Sequence, residues 1–588
     1  MNSPASPGTH PPSSRRFQPR ILGLLRLGYG KREATDDVLA GITVGLIALP
    51  LALALGVASF PPGIITPFPA PAIGIFTAII GGFIVSLLGG SRVQISGPTA
   101  AFVTVILLIV QKHGFDGLLL ATLMAGVILI LMGVFRLGNL IKFIPYPVTS
   151  GFTNGIAVTL IAGQAVSFLG ITGVAPSEFV EKIPWLFKNL SSLNLSTLLL
   201  ASGAFAVIYF WPRLRPIFPT DRIPGAIVAM VAAAALIAVF GWDHSLGIAT
   251  VGSQFGPDAI PHSLPPFVWP EISLARIRDL IGPATTIALL GAIESLLSAV
   301  VSDGLINDRH DSNTELIAQG VANLVCPFFC GLPVTGAIAC TSANVKAGGR
   351  SPVSGMVHAV TLLLIVLIFS SFARYVPMGA IAAVLMIVAL RMGEWHELSR
   401  LRKMPASDAL VLLTTFSLTV IFDLVIAVEV GMVLAAVLFI KRMAETTEIS
   451  AVTTHDELET HEQIAHGKNI PEGVVVFRIF GPFFFGAAEK MEDALQRVGS
   501  LPKVLILRMQ LVPAMDATAL NALESIVERM QAADGTVILS GPHRQPLNMM
   551  MQAGFVAKIG RKNIQAHFDD ALIRAREIHS ESRQPSSL

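Results

Sequence analysis

The chain reads as a succession of apolar runs, and their lengths limit what it can fold into. Runs fall at about 37–56, 70–89, 98–111, 116–135, 147–170, 194–211, 225–241, 280–302, 313–329, 337–346, 352–372, 376–391, 407–422 and 424–442, about fourteen in all. Crossing a bilayer as a helix takes about 20 apolar residues. Of the 588 residues 53% are hydrophobic and 14% are charged, whereas a soluble globular chain carries about 25% charged residues. A large soluble core would not give repeated runs of spanning length. The expectation is an α-helical polytopic membrane protein in which two runs, 98–111 and 337–346, are too short to span.

Lys and Arg set the orientation. With the N-terminus inside, the cytoplasmic loops collect Arg136, Lys142, Arg213, Arg215, Arg222, Arg309, Lys346, Arg350, Arg391, Arg400, Arg402 and Lys403. The opposite loops hold fewer cations. Both ends are therefore expected in the cytoplasm, with the chain a multi-pass protein of the plasma (inner) membrane. Residues 1–20 are Pro/Ser-rich and have no apolar stretch, so residues 1–33 read as a disordered or amphipathic cytoplasmic tail. The net charge of +2 and the lack of a basic stripe interleaved with aromatics argue against nucleic acid. Cys326, Cys330 and Cys340 lie in one apolar region without metal-ligand spacing, and read as small packing residues. No nucleophile–base pair, metal cluster or nucleotide loop is visible, so no enzyme and no resident cofactor are expected.

The transport part is placed at 34–443. After Ile440-Lys441-Arg442 the composition becomes mixed and charged. Val474–Phe480, Lys503–Leu511 and Thr536–Ser540 read as strands, and Glu489–Val498 and Leu520–Ala533 as amphipathic helices. This alternation predicts a small α/β domain at about 450–580, leaving 581–588 as a tail.

The short runs carry the functional argument. Before the first stands Gly89-Gly90-Ser91-Arg92-Val93-Gln94-Ile95-Ser96-Gly97-Pro98-Thr99-Ala100-Ala101, and before the second Cys330-Gly331-Leu332-Pro333-Val334-Thr335-Gly336-Ala337. Each couples an extended stretch to a half-length helix. Extended backbone at membrane depth needs partners, because lipid offers none, so the two stretches are expected to pair at the protein centre. Pro98 suits the first turn of its helix. The short runs are third and tenth in order, and so hold corresponding places in two halves, about 37–241 and 280–442. Seven spans per half force opposite orientations. Interrupted spans in corresponding positions point to a transporter's binding site. Each half-helix N-terminus offers free N–H groups and partial positive charge, so two facing ends form an anion site without a cationic side chain. Thr99, Thr335 and Ser96 are candidate hydroxyl donors. The competing reading is that the small residues serve only close helix packing.

Glu294 lies inside the run 280–302. An intramembrane carboxylate is costly unless neutralised or partnered. Beside an anion site it would repel the substrate when ionised. Binding of H⁺ or Na⁺ with the anion removes that conflict, so cation-coupled symport is inferred, H⁺ before Na⁺. Ser298, one turn on, shares the face of Glu294 and is a candidate coordinating hydroxyl. The other reading of Glu294 is a structural hydrogen bond to a neighbouring half-helix. Glu315, Asn323 and Glu429 are also in or near spans, the last two expected to bond other helices. Asp423 reads as a cap at the break between the last two spans, and Lys346 as a surface cation ending the second half-helix.

In GGSRVQISGPTAAF (89–102), ALLGAIESLLSAVVSD (288–303) and ELIAQGVANLVCPFFCGLPVTGAIACTSANVKAGGRSPVSG (315–355) the chain resembles the SulP family of anion permeases. The resemblance covers about 36–580. It implies a seven-plus-seven inverted repeat, core and gate bundles, elevator-like motion and a homodimer, with sulfate, bicarbonate, chloride or dicarboxylates as substrates. It also implies that Gly97–Ala101 and Thr335–Ala339 face the substrate. The predicted substrate residues are thus Ser96, Gly97, Pro98, Thr99, Ala100, Thr335, Gly336, Ala337, Ile338 and Ala339. Glu294 matches the family's acidic residue on the eighth helix. Na⁺-dependent bicarbonate carriers of the family have Asp and a nearby Thr where this chain has Glu294 and Ser298, which favours H⁺. Cys340 stands where many members have Arg, and Leu51 where eukaryotic members often have Gln. Ser59–Pro71 looks longer and richer in proline than usual.

The C-terminal domain resembles STAS, the fold of anti-sigma-factor antagonists, in Leu511–Leu520. The antagonists' phosphorylatable Ser is replaced by Ala517, and Asp516 is read as a helix cap. A regulatory protein at this domain is the partner implied. The function expected is coupled uptake of sulfate or a similar oxyanion, with bicarbonate or C4-dicarboxylate uptake, or an anion sensor signalling through STAS, as alternatives.

Overall fold

The computed structural model describes residues 17–581 except 61–63, 65, 140–144, 174, 177, 215–223, 257–258, 261–262, 264, 266, 423, 453–469, 472 and 498–500. The tail residues 1–16 and 582–588, the loop cations Lys142, Arg215 and Arg222, and the expected cap Asp423 lie outside the described residues. The chain divides into two compact units, Met1–Met432 and Val433–Leu588.

The first unit is helical. In chain order it contains α1 (Arg20–Leu27), α2 (Lys31–Ser59), α3 (Ala70–Leu88), the strand β1 (Ser96–Gly97), α4 (Ala101–Val134), α5 (Tyr146–Leu169), α6 (Phe179–Lys188), α7 (Leu195–Phe210) and α8 (Gly225–Phe240). Two short helices follow, α9 (Trp242–Ser245) and α10 (Val251–Phe255). The second half has α11 (Leu274–Ile306), α12 (Ser312–Val325), the strand β2 (Thr335–Gly336), α13 (Ile338–Lys346), α14 (Pro352–Phe369), α15 (Met378–Met392), the short α16 (Trp395–Ser399), α17 (Ala406–Ile421) and α18 (Leu424–Thr446), which runs across the division. Among the described residues, six helices are long and apolar enough to cross a membrane, with shorter apolar helices alongside.

Local chemistry explains where these helices start and stop. Ser273, Asp311 and Ser351 cap α11, α12 and α14 by accepting backbone N–H bonds, and Pro352 then takes the first helical position, where its missing N–H is harmless. Gly170 and Gly241 end α5 and α8 in the left-handed conformation that glycine adopts without strain. The third and fourth runs form two helical parts, numbered together as α4 and separated by the non-helical backbone of Gly114. Counting α4 as two, the seven spans α2, α3, both parts of α4, α5, α7 and α8 correspond in order to α11, α12, α13, α14, α15, α17 and α18.

Packing sorts the helices into two sets. The first brings α14 onto α2 and α3, α12 onto α3 and α4, and α11 onto α4 and α13. In the second, α5 packs on α15, α17 and α7, and α7 on α8. Glycines make the tightest crossings: a methyl at Gly74 would stand 2.1 Å from the Ala52 carbonyl oxygen, and one at Gly320 would stand 2.7 Å from that of Gly126. Such close backbone approach is how helices associate in lipid without a hydrophobic driving force.

The second unit is a five-stranded sheet ordered β3 (Glu448–Val452), β4 (Val474–Phe480), β5 (Val504–Leu511), β6 (Thr536–Ser540) and β7 (Ile564–Gln565). β3 is antiparallel to β4 and the other pairs are parallel. The helices α19 (Phe485–Arg497), α20 (Ala517–Ala532), α21 (Arg544–Gln552), α22 (Phe555–Ile559) and α23 (Phe568–Glu581) complete it. One face buries Phe477, Leu505 and Leu507 against Leu523 and Val527 of α20. The other buries Val476 and Ile506 against Leu572 and Ala575 of α23. Asp516 caps α20, its carboxylate accepting the Ala519 N–H at 2.8 Å.

Candidate functional site

Two extended stretches meet inside the first unit. β1 and β2 pair antiparallel, Ser96 with Gly336 and Gly97 with Thr335, and the Ala337 N–H continues the ladder to the Ile95 carbonyl at 2.8 Å. The backbone that this short ladder leaves over is met by side chains. The Asn323 amide clamps Val334 from both sides, donating to its carbonyl and accepting its N–H, each at 2.8 Å. Thr77 accepts the Leu332 N–H at 2.7 Å, Thr341 that of Ile95 at 3.0 Å and Ser295 that of Gly336 at 3.1 Å. Buried backbone polar groups demand such partners. At one end of the crossing, Glu315 accepts the N–H groups of Gly90 and Ser91 at 2.9 and 3.1 Å and so ties α12 to the end of α3.

A half-helix leaves each strand. α13 is 9 residues long, roughly 14 Å at 1.5 Å per residue, far less than the bilayer core. The first turn of α4 is tightened, with Phe102 bonding Thr99 and Val103 bonding Ala100, each at 3.2 Å. Pro98 therefore precedes the first turn instead of occupying it: its ring closes the extended stretch, and the turn opens at Thr99. Neither α4 nor α13 has a side-chain cap, so first-turn N–H groups are left to whatever occupies the space ahead of them.

Beside these ends lies a small cavity bordered by Ser96, Gly97, Pro98, Ala337, Cys340 and His358, with Leu51 and its α2 neighbours forming the apolar wall; Thr99 and Glu294 do not line it. Four predicted residues thus border it: Ser96, Gly97, Pro98 and Ala337. Ala100 is buried at the start of α4. Ile338 and Ala339 have exposed side chains and contribute backbone at the start of α13. Gly336 packs behind the crossing, where a methyl would stand 2.3 Å from the Gln94 amide and 3.0 Å from Ser295 Cα.

Two hydroxyls differ from expectation. Thr335 donates to the Gly291 carbonyl at 3.0 Å and pairs with Ser295 at 2.8 Å, so α11 takes the hydroxyl expected to face the substrate. Ser298 donates to Thr341 at 3.2 Å, so it is held to α13 and not to the carboxylate one turn away. Ser96 accepts from Gln319 at 2.8 Å. Thr99 does reach a functional candidate: its hydroxyl donates to Glu294 Oε2 at 2.8 Å. No group of three or more His, Cys, Asp or Glu able to hold a metal occurs among the described residues. A wider depression beside Arg544, Asn548 and Met549 of α21 is open to solvent and gathers no convergent groups.

Sequence reading missed Ser295, Gln319 and Thr341, whose partners lie far along the chain, and it missed His358. The last had a visible signal, being the lone titratable residue in the run 352–372.

Comparison with known proteins places this geometry. Residues 35–415 match the sulfate permease family and 468–571 the STAS domain. A Bacillus subtilis protein named for sulfate transport, YvdB, is 39% identical over 92% of this chain and 98% of the relative. The bicarbonate transporter BicA of a Picosynechococcus species is 32% identical over 87% of this chain and 89% of its own. Murine Slc26a9, solved in the inward-facing state, superposes with a TM-score of 0.82 over 96% of each chain at 19% identity, which speaks for the fold. The transmembrane domain of a cyanobacterial BicA covers 69% of this chain and 98% of its own, with a TM-score of 0.59 at 27% identity. With both matches in place, the chain belongs to the sulfate permease family: it is a multi-pass membrane transporter carrying a STAS domain.

Proposed function

We propose that the chain takes up a small inorganic oxyanion, sulfate first, together with a cation, H⁺ before Na⁺. The observation that carries this reading is the bond from Thr99 to Glu294 at 2.8 Å. It puts an acidic side chain at the first turn of an uncapped half-helix, the place where backbone N–H groups and the helix dipole favour an anion. An ionised carboxylate there opposes the substrate, and a bound proton or Na⁺ relieves the opposition. Ser298 is turned toward Thr341 and the hydroxyl that meets Glu294 is that of Thr99; the ranking of H⁺ before Na⁺ rests on Glu294 and Ser298 standing where Na⁺-dependent carriers of the family have Asp and Thr. Cys340 adds no positive charge to the cavity, so dipoles and hydrogen bonds hold the anion. The reading extends to elevator-like movement of one helix set against the other, to a homodimer with both termini cytoplasmic, and to a protein partner at the STAS domain.

Bicarbonate is the second reading, supported by the BicA relative. Counterflow of labelled sulfate, bicarbonate and fumarate into proteoliposomes, with pH and Na⁺ gradients varied separately, distinguishes these substrates. It also separates a transporter from an anion sensor, which would give no flux. Glu294→Gln is expected to reduce gradient-driven uptake at least tenfold, in line with the loss of an essential proton-transfer group. Undiminished driven flux in that variant would sink the coupling assignment.

A further inference from the structure

The geometry points to His358 as the side chain that hydrogen-bonds the transported anion, opposite the uncapped half-helix ends. This rests on the transport reading above and adds to it the residue that grips the substrate. His358 lies within α14, is 1% exposed, and borders the cavity together with Ser96, Gly97, Pro98, Ala337 and Cys340. Neither Nδ1 nor Nε2 completes a well-formed hydrogen bond among the described residues; the Gly355 backbone, one turn back on α14, makes a weak contact with the ring. The ring packs against α3: a methyl at Gly82 would be in ordinary contact with His358 Cε1 at 3.5 Å and too close to the Ser96 carbonyl oxygen at 2.9 Å, so the imidazole lies beside the first residue of β1.

Among the other walls, Ala48, Leu51, Ala52, Ala78 and Ile95 are apolar and the Cys340 thiol is a weak donor; the Ser96 hydroxyl accepts from Gln319 and keeps one O–H that can donate beside the imidazole. A neutral imidazole carries one N–H and one lone pair in either tautomer. Burying these groups without well-formed bonds is costly, and the weak Gly355 contact returns only part of that cost. A ligand that accepts from the ring on one side and from the first-turn amides on the other does return it. This grip suits a polyatomic oxyanion, which presents acceptor oxygens in more than one direction.

The test uses the full-length protein in proteoliposomes, with whichever of sulfate, bicarbonate or fumarate the wild type carries best. His358→Leu removes the donor while filling the space, and His358→Gln keeps an N–H donor. H358L is expected to raise KM roughly tenfold, the value of one lost hydrogen bond to a charged group, and to abolish the rise in Tm that the anion produces. Its Tm without anion should equal or exceed that of the wild type, because an orphaned polar group has gone; a purely structural histidine would give the opposite. H358Q should bring KM back to within about threefold of wild type. Wild-type KM and anion-induced stabilisation in H358L, or an H358Q no better than H358L, overturns the inference and leaves the transport reading standing. A wild type that moves none of these anions and is stabilised by none removes both.

Discussion

At the scale of single residues, Asn323 is one of the side chains that keep the crossing in place. Its amide satisfies both polar groups of Val334 at 2.8 Å, and it is fully buried. Asn323→Leu preserves bulk and orphans a donor and an acceptor, each worth about 1–3 kcal/mol. The expected outcome is a fall in Tm of several degrees in detergent together with loss of uptake; an unchanged Tm would show that the strand is held by its ladder alone. How far such residues are legible in a sequence depends on whether they break a rule of the membrane. Glu294 does, because a carboxylate in an apolar run demands a reason. Ser295 and Gln319 do not, since small and amide side chains are ordinary in packed spans, and the Ser96 that Gln319 reaches is 223 positions away. Asn323 stands out, but for a bond to another helix, whereas it holds Val334 in the extended stretch after its own helix. Thr335 was misread for a related cause. Its place before a half-helix suggests a ligand, but which way a hydroxyl turns is decided by the α11 carbonyl it meets.

At the scale of elements, the two short runs were legible because a helix of fixed rise either reaches across a bilayer or does not. Their pairing followed from the need to satisfy extended backbone, and the register, Ser96 with Gly336, realises it. The break after the first short run was legible as well. The sequence expectation separates 98–111 from 116–135, and the two helical parts of α4 are divided between those runs at Gly114, φ 71° and ψ −176°. That backbone region is essentially glycine's alone. Gly114→Ala should therefore cost about 1–3 kcal/mol even though a methyl there meets nothing within 4 Å. Thermal unfolding in detergent checks this: an unaltered Tm would mean that the break relaxes without strain. In the second unit the strands Val474–Phe480 and Thr536–Ser540 were read with their observed bounds, because buried β-branched runs between turn residues are distinctive. The antiparallel edge strand β3 was missed, being short and adjoining the end of α18.

At the scale of the whole molecule, every residue assigned to the anion or its coupling ion lies in the first unit, from Leu51 to His358. Deletion from about residue 450 onward should leave the ranking of sulfate, bicarbonate and fumarate in counterflow unchanged, while altering the amount of protein in the membrane or its regulation. A reordered ranking would place selectivity outside the helical unit. The two-residue ladder also bears on how the chain is made. Its strands are encoded 240 positions apart in Ser96 and Gly336, and each leaves its partner's backbone bare until both have emerged from the ribosome. The first half can insert its spans as they are synthesised, but it cannot finish its own centre. Completion must wait for the second half, so a ribosome-bound intermediate ending before about residue 340 would hold an unfinished, water-seeking gap at mid-membrane, a natural place for an insertion chaperone or a quality-control protease to act.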